Sequence, residues 1–129
     1  MALSAEDVLA IQQLYARYNH AIDFGDADGW AACFTPDGVF ASSARGETAG
    51  REALRAFAEA FSQRTKARHW TNNLVVEGDG AEARGSCYLA LYTLGEGGAR
   101  LTATGVYRDQ LVRTAEGWRF KRRDVTLDG

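Results

Sequence analysis

Val8, Ile11, Leu14, Tyr15, Tyr18 and Ile22 recur at the spacing of one helical face, and Ser4 followed three residues later by Asp7 resembles a capping box ahead of them. This pattern predicts a helix over residues 5 to 23. After Gly25 and Gly29, the group Trp30, Cys33 and Phe34 predicts a short second helix stopped before Pro36, and a strand through Val39 and Phe40 follows. Gly46 to Gly50 read as loop. Leu54, Phe57, Ala58 and Phe61 lie at i, i+3, i+4 and i+7, which predicts a third amphipathic helix over residues 51 to 63.

From there the period changes. His69 to Glu77, Glu82 to Leu94, Arg100 to Arg113 and Trp118 to Leu127 are rich in β-branched and aromatic residues and are separated by glycine-bearing turns, so four hairpin-linked strands are expected. Helices first and a long meander last imply an α+β fold with the helices covering one face of an antiparallel sheet. Strands this long must curl around three helices to cover them. With 129 residues and no repeat, linker or low-complexity stretch, a single domain over 1–129 is expected.

Composition narrows the function. Apolar residues make up 46% of the chain, and 15 Lys plus Arg stand against 17 Asp plus Glu, so the clustered cationic excess that binds nucleic acid is missing. No apolar run approaches the roughly 20 residues of a membrane span, and the first residues are acidic instead of basic, so a cytoplasmic address without membrane contact is expected. Cys33 and Cys87 have neither CxxC spacing nor a matching set of histidines, which points to buried structural residues and no metal. Nucleotide, metalloprotease and serine-hydrolase motifs are missing, leaving cofactor-free chemistry.

Four ionisable side chains fall among apolar neighbours. Asp23 ends the first helix about 100° around the axis from Ile22, flanking the buried stripe. His69 opens the first long strand, and with a carboxylate in reach it becomes a competent base near neutral pH; alone, it reads as a strand-end histidine bonded to backbone. His20 reads as solvent-facing. Tyr18 lies on the buried stripe, where its hydroxyl serves either a backbone carbonyl or a substrate oxygen. Arg122 and Arg123 alternate on the last strand, so one of them faces inward, and parity alone leaves open which. Phe34, Phe40, Phe57, Phe61, Trp70, Leu89, Leu91 and Tyr107 are the candidate apolar lining of a pocket. With Leu89 and Leu91 inward, Tyr88 and Tyr92 project from the sheet's other face.

The segments YNHAIDFGDADGWAACFTPDGVF, RHWTNNLVVEGDG and VYRDQLVRTAEGWRFKRRDV together resemble the SnoaL-like branch of the nuclear transport factor 2-like superfamily, over nearly the whole chain. The resemblance implies a cone-shaped roll of three helices in a strongly bent sheet around a deep apolar pocket. Within the superfamily the sequence is similar to scytalone dehydratase, bile acid 7α-dehydratase and hexachlorocyclohexane dehydrochlorinase, whose helix-end Asp and strand-start His fall on Asp23 and His69. The run His69 to Leu74 resembles the dehydrochlorinase segment around its catalytic His, and Tyr18 and Arg123 match the tyrosine and arginine positions of the bile acid enzyme. The second pocket histidine of scytalone dehydratase is missing here. Ketosteroid isomerases carry their base where this chain has Ser42 and Ser43, and their buried acid near Gly105.

The expectation is a cofactor-independent lyase, a dehydratase or eliminase, acting on a small hydrophobic ring or polyketide-like compound. His69 is the base, Asp23 its orienting carboxylate, and Tyr18 and Arg123 polarise the substrate oxygen. Two alternatives share the pocket: a non-catalytic small-molecule binding or accessory protein, and a polyketide cyclase or isomerase. The uncovered sheet face leads one to expect a homodimer or homotrimer.

Overall fold

The computed structural model describes residues 2–129. Helix α1 spans Ala5–Asp23 and begins as the sequence predicts, with the Ser4 side chain accepting from the Asp7 amide and the Asp7 carboxylate accepting from the Ser4 amide. Helix α3 spans Arg51–Arg64, buries Leu54 and Ala58, and turns Phe57 and Phe61 toward the sheet. The four long strands are β3 (Ala67–Gly78), β4 (Glu82–Gly95), β5 (Gly98–Thr114) and β6 (Gly117–Leu127).

Two local expectations need correction. The second helix, α2, is only Ala27–Ala31, and Cys33 and Phe34 lie beyond it. Phe34 instead opens strand β1 (Phe34–Ser42), captured by parallel pairing with Phe120. Pro36 sits where the β1 register skips between Phe34 and Val39, so its missing N–H costs no ladder bond. Residues Gly46–Ala49, read as loop, form the short strand β2, hydrogen-bonded back on β1.

The strands form one sheet in the order β2-β1-β6-β5-β4-β3. All pairs are antiparallel except β1 with β6. Register breaks at Asn72/Val75 on β3, at Leu91/Tyr92 between β4 and β5, and at Gln110/Leu111 between β5 and β6 supply the bends that roll the sheet around the helices. The architecture is the α+β roll expected from the sequence.

Inside the roll the core is aromatic. Tyr18 packs on Trp30, Phe34, Tyr107 and Phe120 with ring centroids between 5.4 and 6.2 Å apart. Gly85 is a glycine for a reason of space, since a Cβ there would stand 2.2 Å from the Tyr15 hydroxyl. Among the described residues no helix is long and apolar enough to cross a membrane.

Candidate active site

Asp23 is the last residue of α1, where the negative end of the helix dipole disfavours a carboxylate. His69 supplies the compensation. Its backbone amide donates to Asp23 Oδ2 at 2.9 Å, and its ring Nδ1 lies 2.6 Å from Asp23 Oδ1. Only 10% of the His69 side chain and 6% of the Asp23 side chain are exposed, so the contact is shielded from competing water. A carboxylate accepting from Nδ1–H fixes the tautomer with its lone pair on Nε2. One turn earlier on α1, Asn19 Nδ2 donates to Thr71 Oγ1 at 3.0 Å, a second tie between α1 and β3.

His69 forms part of the wall of an apolar cavity of about 220 Å³ between α1, α2, α3 and the concave face of the sheet. Tyr18, Phe40, Phe57, Phe61, Leu89, Leu91 and Tyr107, all expected in the site, line it too. Ile22, Trp30, Val125 and Leu127 join them, with Ser42, Ala44 and Arg45 at the β1–β2 turn. On the outer side, Asp23 and His69 also border a wider groove between α1 and β3.

Three of the expected site residues lie elsewhere. Phe34 is wholly buried beneath the cavity and does not reach it. Trp70 points out of the opposite face of the sheet, 61% exposed and packed on Tyr92 at 4.6 Å, because strand alternation sends the neighbour of His69 outward. Arg123 is the inward arginine of its pair, yet it is sealed from the cavity by tyrosine rings. Its Nε donates to Asp109 Oδ1 at 3.0 Å, and its Cζ lies 3.6 Å from the Tyr107 ring centroid and 4.2 Å from that of Tyr18. Tyr15 completes this buried unit by donating to Asp109 Oδ2 at 2.5 Å. Burial pushes the Asp109 carboxyl up, opposed by the Arg123 charge and the Tyr15 hydroxyl.

Asp109 and Trp30 were not singled out from sequence. A signal for Asp109 was present: on β5 it shares the inward parity of Tyr107 and Leu111. Nothing in the sequence marks Trp30 as part of the cavity wall.

A bent sheet closed by three helices around an apolar cavity, with His69 in its wall, defines a nuclear transport factor 2-like, cystatin-like fold. The chain belongs to the SnoaL-like domain family, which it matches over residues 3–124. It is 32% identical over 124 residues to the uncharacterized protein Rv2910c of Mycobacterium tuberculosis, an alignment covering 93% of this chain and 84% of that one. Its structure is similar to that of a variant of Rv3472, a protein of unknown function from the same organism, with a TM-score of 0.89, 36% identity and coverage of 94% of this chain and 71% of that one. It is also similar to a Catenulispora acidiphila protein solved in complex with S-DNPA, with a TM-score of 0.86, 31% identity and coverage of 97% and 96%. Family and cavity together support a role in small-molecule processing.

Proposed function

We propose that the protein is a cofactor-independent lyase of the dehydratase type, with His69 as the base and Asp23 as the carboxylate that orients it. The observation that carries this reading is the 2.6 Å contact between His69 Nδ1 and Asp23 on an imidazole that lines an apolar cavity. A base in that setting works with its tautomer fixed and its imidazolium stabilised as it forms.

The reaction requires a hydrogen on the carbon next to a carbonyl and a hydroxyl on the following carbon. His69 Nε2 takes the proton, the C–H electron pair becomes the enolate double bond, and the carbonyl π pair moves to oxygen. On collapse the C=O reforms, a new C=C forms at the expense of the C–O bond, and the departing hydroxide takes the proton from the imidazolium as water. Tyr18 serves the substrate oxygen. Arg123, enclosed behind the rings, acts through them and not by contact. A cavity of about 220 Å³ suits a substrate body of one or two rings, being at or below the small end of ordinary ligand sites of about 300 Å³ and more.

The test is a panel of monocyclic and bicyclic β-hydroxy ketones, followed by the absorbance of the conjugated enone, with His69→Gln alongside. Turnover by the wild type that His69→Gln lacks is the expected result. Saturable binding without turnover, and without deuterium entering the carbon next to the carbonyl, would instead identify a small-molecule binding protein. Deuterium exchange or ring closure without loss of water would identify an isomerase or cyclase. Self-association through the exposed face bearing Trp70, Tyr88 and Tyr92 is part of the same proposal.

A further inference from the structure

The apolar cavity carries one permanent charge. Among its lining residues there is no aspartate or glutamate, and Arg45 is the only lysine or arginine. Arg45 belongs to the β1–β2 turn and is exposed to solvent while also lining the cavity, which places it at the mouth. Its Cζ lies 5.8 Å from the centroid of the Phe57 ring, itself part of the cavity wall. Five other arginines, at positions 55, 84, 113, 122 and 123, hold carboxylates, whereas Arg45 has no ion pair among the described residues. Glu47, two residues on, is taken by Arg122 at 2.7 Å, which also holds Asp124 at 2.9 Å.

The turn that carries this cation is fastened to the wall. The Ser43 amide donates to the Val125 carbonyl at 3.0 Å, the Ser43 hydroxyl accepts from the Leu127 amide at 3.0 Å, and the Arg45 amide donates to the Ser42 carbonyl at 3.2 Å. Val125 and Leu127 line the cavity, so these bonds fix the Arg45 backbone against it. Ser42 Oγ accepts from the Ala44 amide at 3.1 Å, which leaves its O–H without an acceptor among the described residues and next to Arg45 at the mouth. Helix α3 sets the spacing from the base. Phe57 and Phe61 are one helical turn apart, about 5.4 Å along the axis. Arg45 lies over the first, and the His69 ring centroid stands 5.6 Å from that of the second. A ring compound lying along this face meets the imidazole at one station and reaches toward the guanidinium at the other.

We propose that Arg45 is a specificity-determining residue that binds a carboxylate of the ligand, so that the protein takes a cyclic acid with its ring in the cavity and its carboxylate at the mouth. The carboxylate is a handle and takes no part in bond breaking. A guanidinium presents two parallel donors that match a carboxylate, and the Ser42 hydroxyl adds a third. At the mouth the anion keeps part of its hydration, whereas in the apolar interior the desolvation would exceed what one pairing returns. A phosphate monoester, with about two charges, would ask for more cations than the single one present. That the acid is also turned over rests on the lyase reading above; its capture by Arg45 stands without it.

The probe is β-naphthoate, compared with its neutral amide, β-naphthamide, by calorimetric titration of the full chain at neutral pH and low salt. The acid is expected to bind about fivefold more tightly than the amide, the upper range for a partly exposed pair, and the preference should shrink as salt is raised. Arg45→Gln should bring the acid down to the affinity of the amide, leave the amide unchanged and melt as the wild type does, since Arg45 is exposed. Arg45→Lys should keep part of the preference through its charge. Equal binding of acid and amide by the wild type, no saturable binding of the acid, or a preference that survives Arg45→Gln would overturn the proposal. So would a preference lost in His69→Gln and kept in Arg45→Gln, which would place the carboxylate against the imidazole. A preference kept in His69→Gln and lost in Arg45→Gln supports it, and elimination, measured separately, decides the lyase reading on its own.

Discussion

The histidine–carboxylate contact makes a demand on two side chains that can be measured directly. A 2.6 Å Nδ1–H···O hydrogen bond, shielded from solvent, should give a far-downfield proton resonance for His69. Asp23→Asn should remove it, since the amide turns the imidazole toward the wrong tautomer, and activity should fall on the order of 10³-fold or more. An unchanged resonance in the variant would mean that the proton belongs elsewhere. Asp109 and Arg123 make a different demand. Both side chains have no exposure at all, so removing one partner leaves the other charged and buried. Asp109→Ala should cost about 3–5 kcal/mol in urea unfolding, and the double variant Asp109→Leu, Arg123→Leu should cost less than the sum of its single changes. Which arginine faces inward was not legible from alternation. Counting from Trp118 and Phe120 in steps of two points to Arg122, but the extra residue at Lys121, where the β5–β6 register shifts, reverses the parity and turns Arg123 in.

Helix α1 is held at both ends by carboxylates, and this fastening is what holds the dyad in register with the sheet. At its start Asp7 accepts from the Trp118 indole at 3.2 Å and pairs with Arg113, while closing the capping box with Ser4. Burial pushes the Asp7 carboxyl up, but the hydrogen bonds from Trp118, Ser4 and Arg113 outweigh it and hold the group below its usual 3.8. Stability from this group is therefore complete above about pH 4 and is lost as pH falls through the depressed folded-state value. Asp7→Asn should melt lower than the wild type at neutral pH, with a gentler further decline into acid; parallel acid limbs in the two proteins would show that Asp7 is not a source of the pH dependence. Helices α1 and α3 and the four long strands were legible because each carries its own period within one segment. Strands β1 and β2 were not, because they are made by partners far away: Phe34 by Phe120, and Gly46–Ala49 by the edge of β1. A local pattern could not reveal that Pro36 lies in a strand irregularity instead of ending a helix.

Taken whole, the molecule exposes several large apolar side chains, and two of them, Trp70 and Tyr88, share the convex side of its sheet. Trp70 and Tyr92 pack together there with their rings tilted at 51°, and Tyr88 is exposed on the next cross-strand row, a grouping of aromatics that water solvates poorly. Light scattering coupled to size-exclusion chromatography is expected to give a dimer or larger species, and Trp70→Lys should shift it toward the monomer without lowering the melting temperature of the monomeric fold. A wild type that remains monomeric at high concentration would retire this expectation. The distribution of the dyad between two spaces has its own consequence. His69 borders both the apolar cavity and the outer groove, whereas Asp23 borders the groove alone. The partition between the apolar cavity and the outer groove is thus one imidazole thick, with the Asp23 carboxylate on its groove side. A molecule filling the cavity meets one edge of that ring while the carboxylate holds the other, so under the proposed reaction the base is gripped from behind by a group its substrate never touches.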